Sequence, residues 1–188
     1  LLKCQSDRRA IVQDASDLIE AAIIFAEKAH AGQTRKVTGA PYIVHPRRVA
    51  EMVMPFVSPA AVAAAYLHDV IEDTEYKDIS VFPVRVQQLV SLLTKIPGEK
   101  LASIEKVGRS FDEEAMIVKV ADRIDNISDG AAHFGNEWAK KYLVTSRCIR
   151  YHAQKMGLGG HALVMRLVTS IVYLESLAID PPSTSIYV

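Results

Sequence analysis

A chain of 188 residues with 22 basic and 22 acidic side chains has no surplus charge with which to coat a nucleic acid. With 49% hydrophobic and 23% charged residues it has the composition of a soluble globular protein, long enough to bury one substantial core. No apolar stretch is long enough to span a bilayer without interruption, so a membrane protein is not expected. A local basic pocket is still compatible with this balance.

The opening residues Leu1-Leu2-Lys3-Cys4 pass at once into polar and charged side chains, so they lack the apolar run of a signal peptide, and Lys3 fits poorly with a lipoprotein cleavage site. The first residue is not Met, which fits a trimmed or engineered terminus. The two cysteines, Cys4 and Cys148, have no CxxC or Cys-His context and are expected to be free thiols in a reducing, cytoplasmic setting.

From Asp14 to Ala31 apolar residues recur at helical spacing, and Gly32 supplies a stop. His30 falls in the last turn and suits a capping or core role. Gln33 to Tyr42 holds Gly and Pro and forms a basic loop, where Arg35 and Lys36 suit either a phosphate or solvent. Pro46 fits the first turn of a helix continuing through Arg47 to Val53, with His45 at the cap or just before it. That fixed junction serves a metal ligand and a simple cap equally well.

Ser58-Pro59 opens a central helix in the favoured cap-then-proline order, and its alanines predict close packing on all sides. The run from Ala64 to Thr74 reads as helix and carries His68, Asp69, Glu72 and Asp73. On a helix His68 and Asp69 lie about 100° apart, and Glu72 and Asp73 follow within a turn, so all four crowd one side, toward a cavity. This is either an exposed acidic helix end or a buried set balanced by a cation.

A further helix is predicted from about Pro83 to Lys95, then a short helix plus loop over Leu101 to Ser110. Asp112 caps the next helix, with Glu113 and Glu114 in its first turn. Its apolar run ends at Asp122, which shares a face with Asn126 and Asp129 and serves either a metal or a salt bridge to Arg123 or Arg147. Helices over about Asn136 to Met156 and His161 to Ile179 complete the pattern, before a Pro181-Pro182-Ser183 tail. The last helix can pack inside the domain or between subunits, so a homo-oligomer is possible. His133, His152 and His161 lack partners at ligand spacing and are expected to be structural.

With no alternating strand pattern, the chain is expected to be all-α and a single domain over residues 1–188, with a motif-bearing core at about 14–130 and C-terminal helices at 136–179. His45, His68, Asp69 and Asp122 form a mixed N/O ligand set suited to manganese, iron or zinc. Without cysteine ligands it is not a structural zinc knuckle.

The order H…HD…D resembles the HD-domain metal-dependent phosphohydrolases. Around it stand Ala29-His30-Ala31-Gly32-Gln33-Thr34-Arg35-Lys36, Pro41-Tyr42-Ile43-Val44-His45-Pro46, Leu67 to Thr74, Leu93-Thr94-Lys95 and Val118 to Asn126. These resemble the hydrolase domain of the RelA/SpoT alarmone enzymes. The resemblance implies an HD-domain helical bundle and, as 188 residues leave no room for the family's synthetase domain, a small alarmone hydrolase. It implies a manganese-dependent enzyme that removes the 3′-diphosphate of (p)ppGpp, with a nucleotide rather than nucleic acid or membrane as partner.

Carried over by motif, His45, His68, Asp69 and Asp122 would bind the metal. Glu72 and Asp73 would orient and deprotonate water, Asn126 would lie near the ribose, and Arg35 with Lys36 would face phosphates. Asp125 and Ser128 depart from the His or Tyr and the Arg common in the family, and both are expected close to the nucleotide pocket. The extra residue within Lys36 to Gly39 and the short Lys95 to Asp112 region reshape its rim. Action on another nucleotide or nucleotide cofactor, a silent alarmone-binding module, and a purely structural domain are the alternatives.

Overall fold

The computed structural model describes residues 15–131 and 133–179. Among them the chain is all helix and turn, with one antiparallel bridge, Thr34 to Pro41, in place of a sheet. The expectations for Cys4, for Asp14 as a helix start and for the Pro181-Pro182-Ser183 tail lie outside the described residues. No helix among the described residues is long and apolar enough to cross a membrane.

The core is organised about α3, Pro59–Leu67, following α1, Ala15–Ala29, and α2, Val44–Val53. Ser58 Oγ accepts the Ala61 N–H, and Pro59 stands in the first turn, where its missing N–H costs nothing. Ala61, Ala63, Ala64, Ala65 and Leu67 are fully buried, as expected of a helix that is apolar on every side. Methyl-sized side chains let α1, α2 and α5, Val84–Leu93, pack against it. Leu67 and Leu89 fill the gaps between these helices, and truncating either to Ala would cost about 2–5 kcal/mol.

The predicted single helix from Ala64 to Thr74 is interrupted. α3 stops at Leu67, Asp69 turns away at φ −99°, ψ −6°, and α4 is one turn, Val70–Asp73. His68 Nδ1 donates to the Ala65 carbonyl at 2.8 Å, taking the acceptor that the Asp69 N–H would use in an unbroken helix. The break lets adjacent His68 and Asp69 face the same point. α2 likewise begins earlier than predicted, so His45 lies inside its first turn and its ring does not serve as a cap.

The segment read as a short helix plus loop is one continuous helix, α6, Lys100–Ser110, burying Ile104, Val107 and Gly108. Asp112 Oδ1 then caps α7, Glu113–Gly130, accepting the Ala115 N–H at 3.0 Å. α8, Asn136–Lys155, and α9, Ala162–Leu177, pack on each other, and α9 also lies along α7, with Leu163, Leu167, Ile171 and Leu174 forming its buried stripe. The last helix is therefore internal along that stripe. Gly130 allows Trp138 of α8 to lie on α7, since a methyl there would come within 2.2 Å of the indole.

Candidate metal centre

Four buried side chains from three places in the chain meet at the end of α3. His45 comes from the first turn of α2, His68 and Asp69 from the break after α3, and Asp122 from the middle of α7. One ligating atom each from His45, His68 and Asp69 lies within 4.8 Å of the others. Asp122 Oδ1 stands 3.4 Å from His45 Nε2 and 3.9 Å from His68 Nε2. Asp69 Oδ2 is 3.5 Å and 3.0 Å from the same two nitrogens.

Each imidazole turns Nε2 inward because Nδ1 is engaged outward. For His68 the Nδ1 partner is a carbonyl, which can only accept, so Nδ1 carries a proton and in the neutral ring Nε2 offers a lone pair. For His45 the partner is Asp125 Oδ2, 2.7 Å from Nδ1. His68 Nε2 is buried without a hydrogen bond although a carboxylate oxygen lies beside it. Two such nitrogens facing two carboxylates suit a divalent cation better than they suit one another.

Charge points the same way. The network of ion pairs and hydrogen bonds around the cluster joins the carboxylates of Asp69, Glu72, Asp73, Asp122, Asp125 and Asp129 to the cations Lys95, Lys119, Arg35 and Arg48. The carboxylates thus outnumber the cations bonded to them, an excess that a divalent ion would offset. Among protein groups alone a proton makes up part of the difference. Burial disfavours a charged His45, but Asp122, Asp125 and Asp69 outweigh it and hold its pKa well above the ordinary histidine value. Burial likewise opposes charge on Asp69 and Asp122, yet both lie well below the usual carboxylate range, Asp69 through His68 and His45 and Asp122 through Lys119 and His45.

Glu72 is oriented by two bonds from Lys95, whose Nζ is 2.8 Å from Oε1 and whose backbone N–H reaches Oε2 at 3.2 Å. Burial of the Lys95 ammonium is outweighed by Asp69, Asp122 and Glu72, which raise its pKa. The Tyr42 hydroxyl lies 2.7 Å from Asp69 Oδ2 and 3.2 Å from Asp73 Oδ2. Burial, then the charge of Asp69, pushes the Tyr42 phenol up, so it remains a donor; the Asp73 carboxyl is raised by burial and then by Asp69.

Above the cluster opens a cavity of about 700 Å³, within the usual size of small-molecule sites. Asp69, Asp122, Glu72 and Tyr42 form its floor, and Lys95, Lys119 and Asn126 stand around them. Its outer flank comes from α6 and α8 through Lys100, Leu101, Trp138, Lys141 and Tyr142. Trp138 and Tyr142 stack at 4.2 Å, and the Arg123 guanidinium lies 4.6 Å from the Tyr142 ring.

The structure brings His45, His68, Asp69, Asp122 and Glu72 together and leaves others further off. Asp73 does not line the cavity and reaches the cluster through Tyr42. Asn126 lines it and donates to the Asp122 carbonyl at 3.0 Å. Arg35 is tied to α7, its Nε 2.9 Å from Asp129 Oδ2 and Nη2 3.1 Å from Asn126 Oδ1. Lys36 is exposed, and the network does not reach it. Asp125 and Ser128, expected close to the nucleotide pocket, line instead a separate open depression of about 390 Å³ with Arg48, Met52 and Arg166. The ion pair of Asp122 is with Lys119 at 3.1 Å rather than Arg123 or Arg147.

His30 is buried, bonded to Gln33 and stacked on Tyr42, and His161 caps α9. Cys148 is a free, half-buried thiol. Sequence reasoning gave no role to Tyr42, Arg48, Lys95, Lys119 or the Trp138–Tyr142 stack. Of these only Lys119 carried a signal, a lone cation inside the apolar run from Ala115 to Ala121.

Residues 22–145 match a family model described as HD domain. A relative from Mycoplasma pneumoniae named probable guanosine-3′,5′-bis(diphosphate) 3′-pyrophosphohydrolase is 31% identical over 131 residues, 59% of this chain and 18% of its own length. A guanosine-3′,5′-bis(diphosphate) 3′-pyrophosphohydrolase from Aquifex aeolicus is 36% identical over 120 residues, 58% of this chain and 17% of its own length. The chain thus spans less than a fifth of the length of these relatives. A solved structure described as a metazoan ortholog of SpoT that hydrolyzes ppGpp shares the fold, with a TM-score of 0.72 over 85% of this chain and 96% of that chain at 24% identity.

Proposed function

The chain belongs to the HD domain family, and on that premise we propose that it is a metal-dependent guanosine-3′,5′-bis(diphosphate) 3′-pyrophosphohydrolase, converting (p)ppGpp to GDP or GTP and pyrophosphate. The observation that carries this reading is the inward pair of Nε2 atoms with Asp69 and Asp122 at the floor of a nucleotide-sized cavity. The names of the relatives support the substrate.

His45, His68, Asp69 and Asp122 would hold the ion, with manganese as the metal of this reading and other divalent ions as substitutes. Bound there, a divalent ion lowers the pKa of water and polarises a phosphoryl oxygen. Glu72, at the cavity floor, orients and deprotonates the attacking water, and Asp73 takes part through the Tyr42 hydroxyl that it shares with Asp69. The water oxygen bonds to the phosphorus attached to O3′, the P–O3′ bond breaks, and O3′ leaves with the electron pair and takes up a proton. Lys95 holds Glu72 in its direction of approach. Arg35 and Lys36 offset charge on the departing diphosphate, and Asn126 lies beside the ribose. In this reading residues 1–188 act as one hydrolase domain in the cytoplasm.

The test is a panel of nucleotides assayed with Mn²⁺ and with chelator, reading pyrophosphate against phosphate. Pyrophosphate from ppGpp, lost on chelation, is expected. Turnover of a different nucleotide with ppGpp intact would move the chain to another HD phosphohydrolase activity. Metal binding with no turnover of any nucleotide would leave a non-catalytic alarmone-binding module.

A further inference from the structure

We infer that Asp125 is a positioning residue of the metal centre: its carboxylate, braced by Arg48, holds the His45 imidazole with Nε2 turned toward Asp69 and Asp122. The inference rests on the metal-binding reading of His45 and extends it to a residue outside the ligand set.

Asp122 and Asp125 stand three residues apart on α7, one turn along the same helix, and both reach His45 from opposite sides of its ring. Asp122 Oδ1 faces Nε2 at 3.4 Å and Asp125 Oδ2 faces Nδ1 at 2.7 Å. The ring is 1% exposed and Asp125 4%, so water does not compete for the contact. Asp125 is itself fixed, with Arg48 Nε 2.6 Å from Oδ1 and Nη2 3.0 Å from Oδ2. The same guanidinium reaches Asp129 Oδ1 at 2.8 Å, and Asp129 holds Arg35 through its other oxygen.

His68 provides the internal contrast. Its Nδ1 partner is the neutral Ala65 carbonyl, whereas His45 has an ion-paired carboxylate. Both partners set the ring direction, but a carboxylate also makes the imidazole a stronger donor to a cation. Of the two histidines, His45 is therefore the one whose grip on a metal depends on a side chain that can be changed.

The experiment is Mn²⁺ binding to the full chain, measured by the free-ion electron paramagnetic resonance signal, for wild type, Asp125→Asn and Arg48→Gln. Asp125→Asn keeps the size of the side chain and removes its charge. Its affinity should fall about 10- to 100-fold at a temperature where circular dichroism shows the metal-free variant still folded, a combination that a merely structural role would not give. Arg48→Gln, which leaves Asp125 in place but unbraced, should weaken binding less and in the same direction, and it serves alone should Asp125→Asn not fold. Affinities within twofold of a wild type that binds Mn²⁺ would overturn the role of Asp125 and leave the metal centre standing. A wild type that binds no Mn²⁺ would overturn the metal centre and this inference with it.

Discussion

The floor of the cavity and its outer flank are built on opposite principles. At and beneath the floor, Asp69 and Asp122 with His45 and His68 behind them are buried, come from three separate places and are each fixed by a hydrogen bond or ion pair. On the flank, Leu101, Trp138, Lys141 and Tyr142 come from two surface helices, and contact is mainly ring on ring and cation on ring. A buried charge has few affordable arrangements, because every unpaired group is penalised. An aromatic and aliphatic wall has many. The floor therefore dictates the chemistry, while the flank can vary with the molecule to be held.

The sharpest way to break this division is Asp69→Ala, which removes a carboxylate facing both imidazoles and contacted by Tyr42 and Lys95. Mn²⁺ binding by calorimetry and pyrophosphate release should be lost together. Next in size, Glu72→Gln should keep the metal and lower kcat by about 10²- to 10⁴-fold; a change confined to KM would show that Glu72 only binds. On the flank, Trp138→Ala should raise KM roughly 3- to 10-fold, the scale of one lost aromatic contact, with kcat within twofold. A kcat loss as large as that of Glu72→Gln would mean that floor and flank are not separable.

The smallest effect belongs to a region outside both. Arg85 pairs with Asp112 and Glu114, and the Glu114 carboxylate accepts the Ser58 N–H at 2.7 Å, joining the starts of α3 and α7. Burial tends to raise the pKa of Asp112 and Glu114, but Arg85 outweighs it and holds both below their ordinary values. Depressed folded-state values stabilise the fold above the ordinary carboxylate range, and this contribution is lost as pH falls through it. A thermal unfolding series from pH 6 to 3 should therefore steepen on the acid side, and Asp112→Asn, which still caps, should flatten that limb without changing kcat.

What could be read in advance follows the same line. Ser58-Pro59, the alanines of α3 and the Asp112 cap are local signals, and each produced its helix. His68, Asp69 and Asp122 could be named because ionisable groups beside apolar runs require a partner, and His45 because Pro46 sets it at a helix start. The break at His68 could not, since it depends on a ring nitrogen competing for the Ala65 carbonyl, a contact that helical spacing does not encode. α6 was hidden by Gly108, which weakens a helix on paper but is needed in place, because a methyl there would fall 2.1 Å from His152 Nδ1. Tyr42 lay in a loop and Lys95 at the end of a predicted helix, and their partners are distant in the chain. That Asp125 and Ser128 line a depression apart from the larger cavity could not be read, because position on a helix gives a face, while which cavity that face meets depends on α2 and α9.

The bridge between Thr34 and Pro41 closes the basic loop at its neck. Arg35 N–H donates to the Ala40 carbonyl at 2.8 Å and Tyr42 N–H to the Gln33 carbonyl at 2.9 Å, so Arg35 and Tyr42 are set by the stem and not by the tip. Residues 36–39 hang beyond that closure. Changes of length within residues 37–39 should then leave the floor of the cavity intact, since a change in tip length stops at the neck before it can move Tyr42 away from Asp69.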